Sequence, residues 1–156
     1  MTRTRREHDS LGPIDVRADR LDYLKRTLGI RTANGAPKAD ILVLAVKPQQ
    51  MGEVLRGLDA GTTLLISIAA GITTARIEKE AAGRPHVVRV MPNTPALVGA
   101  GAAALCRGAF ATDDDLATAE AILGAVGITV RTEERLMDVV TALSASGPAF
   151  VYTIIE

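Results

Sequence analysis

No tryptophan occurs in this chain, and only two phenylalanines and two tyrosines stand among its 156 residues. With 47% of the residues hydrophobic, the interior must be built from Ala, Val, Leu and Ile. That composition suits helices packed on a parallel sheet and argues against an aromatic-rich β-sandwich. Cysteine is equally scarce. Cys106 stands alone, which excludes an intramolecular disulfide framework and fits a reducing, cytoplasmic setting. It falls in a candidate strand, where a buried cysteine serves as a small hydrophobe. An excess of either charge is also missing: 18 Lys+Arg balance 18 Asp+Glu, so no global field favours nucleic acid or an anionic membrane. No run approaches the ~20 apolar residues that a membrane helix needs. His8 and His86 are isolated and expected to face solvent, so no metal-ligand cluster is expected. For the same reason Ser144 and Ser146 lack a histidine partner at any suggestive spacing. Lastly, no G-x-G-x-x-G follows a strand, and Gly99-Ala100-Gly101 does not lead into a helix start.

What remains is long enough for one domain with a proper core. Residues 1–13 crowd Arg3, Arg5 and Arg6 together, but Glu7 and Asp9 interrupt them and no apolar face follows, so the segment is expected to be a disordered arm. From Ile14 onward two patterns alternate. Short β-branched runs predict strands at 41–46, 63–68 and 87–90, with weaker candidates at 102–105 and 128–130. The first of these is continuously apolar, which predicts a strand covered on both faces. Between the runs lie helical stretches at 19–28, 49–58, 73–82, 113–123 and 133–143, and 149–156 opens another. Thr73 is a candidate cap, and three acidic residues at 113–115 complement a helix dipole. Strands alternating with helices of about ten residues predict right-handed βαβ crossovers. The fold class is therefore α/β: a doubly wound, mostly parallel Rossmann-type sheet with helices on both faces.

Ligands of open α/β sheets sit beyond the carboxyl ends of the strands. The segments that follow the apolar runs are therefore the ones to read. Asp15 and Arg17 place a ribose-binding carboxylate beside a guanidinium suited to a 2′-phosphate, so NADPH and NADH both stay open. Lys47-Pro48 follows the strand at 41–46, where Ala45 is small enough for a ligand to lie close. Ala69-Ala70-Gly71 follows the next strand, and residues this small admit either a flat ring or a tightly packed helix. Pro92 and Pro95 then bracket Asn93 and Thr94, stiffening a loop that aims an amide and a hydroxyl where the sheet opens.

Four stretches in order, ILVLAVKPQ at 41–49, ISIAAGIT at 66–73, RVMPNTPALVGAG at 89–101 and DVVTALSASGPAFVYTIIE at 138–156, resemble pyrroline-5-carboxylate reductase. The resemblance runs from about Ile14 to the last residue. It implies an NAD(P)H-dependent reductase of proline synthesis, acting on 1-pyrroline-5-carboxylate in a homo-oligomer. It also implies that Ala45, Val46, Lys47 and Pro48 line the dinucleotide and that Asn34 reaches the adenosine-side ribose. Ala69, Ala70 and Gly71 would lie by the nicotinamide-side ribose. Met91, Pro92 and Asn93 would border the substrate pocket, with Asn93 towards the nicotinamide. The implied organisation is an arm over 1–13, a dinucleotide-binding domain over 14–143, and a hinge with the start of a helical domain over 144–156. Against the family pattern, the first strand with its glycine-rich turn and most of the helical domain are missing. No residue here inherits the catalytic donor, and the 156 residues alone are expected to bind cofactor poorly and to be inactive. Two other readings stand beside this one: a non-catalytic dinucleotide-binding or interaction module, and another β-hydroxyacid-dehydrogenase-like oxidoreductase.

Overall fold

Among the described residues five strands make the main sheet: β1 (Ile41–Leu44), β2 (Leu64–Ser67), β3 (His86–Met91), β4 (Gly101–Arg107) and β5 (Gly127–Arg131). They lie side by side in the order β1-β2-β3-β4-β5. This computed structural model describes residues 7–9, 12–14, 26, 27, 29, 38–61, 63–147, 153 and 154. Glu7–Asp9 and Gly12–Ile14 pair antiparallel in a small ribbon of their own, outside the main sheet.

The helices form where the hydrophobic period changes from continuous to helical. A 3-10 turn, Pro48–Gln50, leads into α1 (Met51–Arg56), which buries Met51, Val54 and Leu55. Helix α2 (Thr74–Glu80) starts at Thr73, whose hydroxyl accepts from the Arg76 amide at 3.2 Å as an N-cap. Helix α3 (Asp113–Gly124) opens with a capping box: Thr112 and Asp115 satisfy each other's backbone amides, with three acidic side chains in the first turn.

Strand alternation divides the core between the two faces of the sheet. On one face Leu44, Leu65 and Val87 pack with Met51 and Leu55 of α1 and Ile77 of α2. On the other, Ile66, Val88, Val90 and Leu105 pack with Leu116 and Ala119 of α3. Each fully buried aliphatic side chain contributes about 1.5–3 kcal/mol, so this sandwich supplies most of the folding free energy.

The cover of β1 differs from expectation. Strand β1 is not covered on both faces: Ile41 and Val43 are 37% and 52% exposed. The reason is position. Among the described residues β1 is the outermost strand of the sheet, where α1 covers one face and α3 reaches only the strands further in. The main sheet is mostly parallel, as expected: three of its four strand pairings are parallel, and β3 and β4 run antiparallel, pairing Arg89 with Cys106 and Met91 with Ala104. A parallel return needs a crossover of about a dozen residues or more. Residues 92–100 are too few, and they spend themselves on a 3-10 turn, Thr94–Val98. Gly99 closes that turn at φ +74°, a conformation that disfavours any side chain. The two prolines thus stiffen a chain reversal. The last helical stretch also differs from a simple α-helix. It runs as a 3-10 turn (Glu134–Leu136), a short α4 (Met137–Val140) and a π-helical turn (Thr141–Ser146).

Candidate dinucleotide shelf at the strand ends

Strands β1, β2 and β3 are parallel and in one register, with Leu44 beside Ser67 and Ser67 beside Arg89. Their carboxyl ends therefore deliver three segments to one edge: residues 45–48, 68–71 and 91–93. The Ile68 amide donates to the Leu44 carbonyl at 3.2 Å, carrying the ladder one residue past the strands. Ala45, Lys47, Ala70 and Gly71 are exposed there, Val46, Pro48, Met91, Pro92 and Asn93 are half-buried, and Ala69 is buried. Gly71 adopts φ +71° with nothing within 4 Å of where a Cβ would stand. The Lys47 carbonyl accepts from the Gln50 amide at 2.9 Å, but among the described residues no hydrogen bond or ion pair involves its ammonium group.

A nicotinamide cofactor fits this edge in part. The small residues at 69–71 and the open side of Gly71 let a ribose or flat ring approach the backbone, and Lys47 offers an uncommitted positive charge. The glycine-rich turn that cradles a pyrophosphate is not in the 156 residues. Arg17 and Asn34, expected near the adenosine side, lie outside the described residues, as does Asp15. A cavity of about 590 Å³ lies elsewhere. It lies at the opposite ends of β1 and β2, lined by Lys38, Asp40, Leu42, Leu58, Asp59 and Thr63, with none of the expected site residues.

Asn93 is brought to the edge, but its amide is already engaged. Its Oδ1 accepts from the Ala102 amide at 2.8 Å, and its Nδ2 donates to Ser144 Oγ at 3.2 Å. Two residues earlier, Met91 packs, as does Val140, against the cluster of Ala104, Cys106 and Met137.

Sequence reasoning passed over a buried ionic network just behind this shelf. Arg89 is 1% exposed within β3. Its Nη1 donates to Glu134 Oε1 at 2.5 Å and its Nη2 to Asp138 Oδ1 at 3.3 Å. The other Glu134 oxygen accepts from the Thr74 amide at 3.3 Å, the Thr74 hydroxyl at 2.8 Å and the Cys106 thiol at 3.5 Å. Burial pulls the Glu134 carboxyl upward, but the hydrogen bonds from Arg89 and Thr74 outweigh it and hold the group below its usual range. Burial first, and then the Glu134 charge, push the Cys106 thiol up to about 12. A thiol so placed is inert packing, in keeping with its reading as a small hydrophobe. The missed signal was Arg89 itself, a charge inside a β-branched run that has to find a partner.

One further correction concerns His86. It does not simply face solvent: its Nδ1 lies 2.8 Å from Asp115 Oδ2, and Asp115 also accepts from Thr112. Burial raises the Asp115 carboxyl, but the Thr112 and His86 hydrogen bonds win and lower it. Among the described residues no group of three or more His, Cys, Asp or Glu could hold a metal ion. No helix there is long and apolar enough to cross a membrane.

Comparison with known proteins agrees with this fold. A family model described as "NADP oxidoreductase coenzyme F420-dependent" matches residues 13–71. A pyrroline-5-carboxylate reductase of Synechocystis sp. is 45% identical over 145 residues, covering 88% of this chain and 53% of the relative. A solved pyrroline-5-carboxylate reductase from Coxiella burnetii superposes with a TM-score of 0.80 at 40% identity, covering 87% of this chain and 54% of that one. The Plasmodium falciparum pyrroline carboxylate reductase, solved with NADP bound, gives a TM-score of 0.64 at 36% identity over 74% of this chain and 45% of that one. The chain thus spans about half the length of the curated relatives it matches. On sequence and fold together, and over that half, this chain belongs to the pyrroline-5-carboxylate reductase family.

Proposed function

We propose that this chain is the dinucleotide-binding part of an NAD(P)H-dependent reductase that converts 1-pyrroline-5-carboxylate to L-proline. The single observation that carries the reading is the common register of β1, β2 and β3, which gathers residues 45–48, 68–71 and 91–93 at one edge. Family membership gives that edge its chemistry. When bound, the cofactor supplies a hydride to the carbon of the cyclic C=N bond, while a proton goes to the nitrogen. An imine carbon is already electrophilic, so the protein needs to orient and enclose the reactants and needs no nucleophile. The side chains at this edge match that demand. Ala69, Ala70 and Gly71 leave room at the nicotinamide-side ribose, Lys47 faces the anionic part of the dinucleotide, and Met91 and Pro92 form an apolar rim. Arg17 and Asn34 serve the adenosine side in this reading. Residues 14–143 act as the dinucleotide-binding domain, and 144–156 as the hinge into a helical, oligomer-forming part. The enzyme works in the cytoplasm on a small molecule, with neither nucleic acid nor membrane as partner.

The test is a titration of the chain with NADPH and with NADH, following reduced-nicotinamide fluorescence. Saturable enhancement is expected, with affinity falling about tenfold or more (~1.4 kcal/mol) in Ala70→Leu, which fills the exposed shelf without touching the core. No saturable change with either nucleotide, or equal affinity for the two proteins, contradicts the reading.

A further inference from the structure

Residues 89, 91 and 93 alternate along one face of β3, and each holds a successive turn of the final helical stretch. Arg89 grips Glu134 and Asp138, Met91 packs against the cluster that holds Met137, and Asn93 donates to Ser144. Asn93 keeps the strand's extended conformation at φ −124° and ψ 167°, so the two-residue alternation continues past the end of the ladder. The first two contacts already fix residues 134–140 on the sheet. The third differs from them. It is polar, half-buried, and made at the shelf edge itself, to a residue within the π-helical turn Thr141–Ser146. Single π-turns interrupt the regular ladder and recur at functional sites.

We propose that Asn93 is a positioning residue: its side chain straps the reversal loop to Ser144 and so sets where residues 144–147 lie relative to the strand-end shelf. The chemistry of the amide explains the residue type. Its oxygen closes the loop on the Ala102 amide while its nitrogen reaches Ser144 Oγ. Ionised aspartate accepts both ways and donates neither, and alanine does nothing at all. The role in cofactor orientation rests on the reductase reading above; the strap itself does not. A nicotinamide seated against residues 91–93 would then be felt at Ser144 through one side chain, and the linkage is reciprocal.

Amide hydrogen exchange of the 156-residue chain tests this, with Ser144→Ala as the main variant because it leaves the Asn93–Ala102 bond in place. Exchange at residues 144–147 is expected to speed up about fivefold, the worth of one hydrogen bond, while α4 stays as protected as before. Ser144→Thr, which restores the hydroxyl, is expected to return those residues to within about twofold of the parent. Saturating NADPH should slow exchange at 144–147 in the parent, and in Ser144→Ala only at the shelf segments 45–48 and 69–71. Unchanged exchange in Ser144→Ala, loosening spread evenly over 134–147, or no rescue by threonine overturns the strap. NADPH protection that reaches 144–147 in Ser144→Ala as fully as in the parent overturns its transmitting role. Should NADPH protect nothing in the parent, the cofactor reading fails, while the nucleotide-free comparison still decides the strap.

Discussion

The two faces of β3 do different work. Towards α3 the strand presents Val88 and Val90, both buried among Ile66, Leu105 and Leu116. Towards the final helical stretch it presents Arg89 and Met91, and then Asn93 just beyond its end. The first face is held mainly by non-directional aliphatic contacts of the right volume, with His86 meeting Asp115 of α3 at the start of the strand. The second face alternates a charge, a flexible thioether and an amide, and each finds its match at only one helical turn. Apolar burial supplies stability, whereas the polar rungs select a register. That difference is useful at a strand end, because it fixes what stands beside the shelf without adding bulk to it.

The comparison breaks most visibly at Arg89. Arg89→Ala strands the Glu134 carboxylate in a half-buried site and is expected to cost about 3–5 kcal/mol in urea unfolding. The double variant Arg89→Met with Glu134→Leu is expected to recover most of that loss, since an ion pair replaced as a pair leaves no orphaned charge. If the double variant were as unstable as the single one, the pair would be a source of stability in its own right, and the two faces would be alike.

A smaller effect follows pH, and both faces take part in it. Glu134 is held below its ordinary value in the folded chain, so the unfolded state takes up its proton first. The stability it contributes is complete above its unfolded pKa of about 4.3 and is lost as pH falls through the lower folded value. Asp115 behaves in the same direction. Unfolding free energy measured from pH 6 downward should therefore fall, and the fall should be shallower in Glu134→Gln. An unaltered acid slope in that variant would show that the Arg89 network does not govern it.

Much of this was legible in the residues. The β-branched runs at 63–68 and 87–90 mark β2 and β3, which are buried on both faces, Thr73 begins a helix by ordinary capping chemistry, and the acidic residues 113–115 open another. Strand β1 misled because an apolar run records what a strand could bury, not which neighbour covers it. The reversal into β4 depends on the length of the loop, and a strand's direction leaves no mark on its composition. Arg89 was visible but its partner was not. Glu134 lies 45 residues away, outside any local pattern. Likewise Asn93 was picked out as a polar group at the strand end, but its engagement with Ser144 comes from folding across 51 residues.

The account stands most directly on where a dinucleotide sits. Backbone amide shifts of the labelled chain, followed through an NADPH titration, should move at residues 45–47, 69–71, 91 and 93, with a smaller change at Ser144. Shifts confined to Lys38, Asp40, Asp59 and Thr63, around the cavity at the opposite ends of the strands, would contradict it.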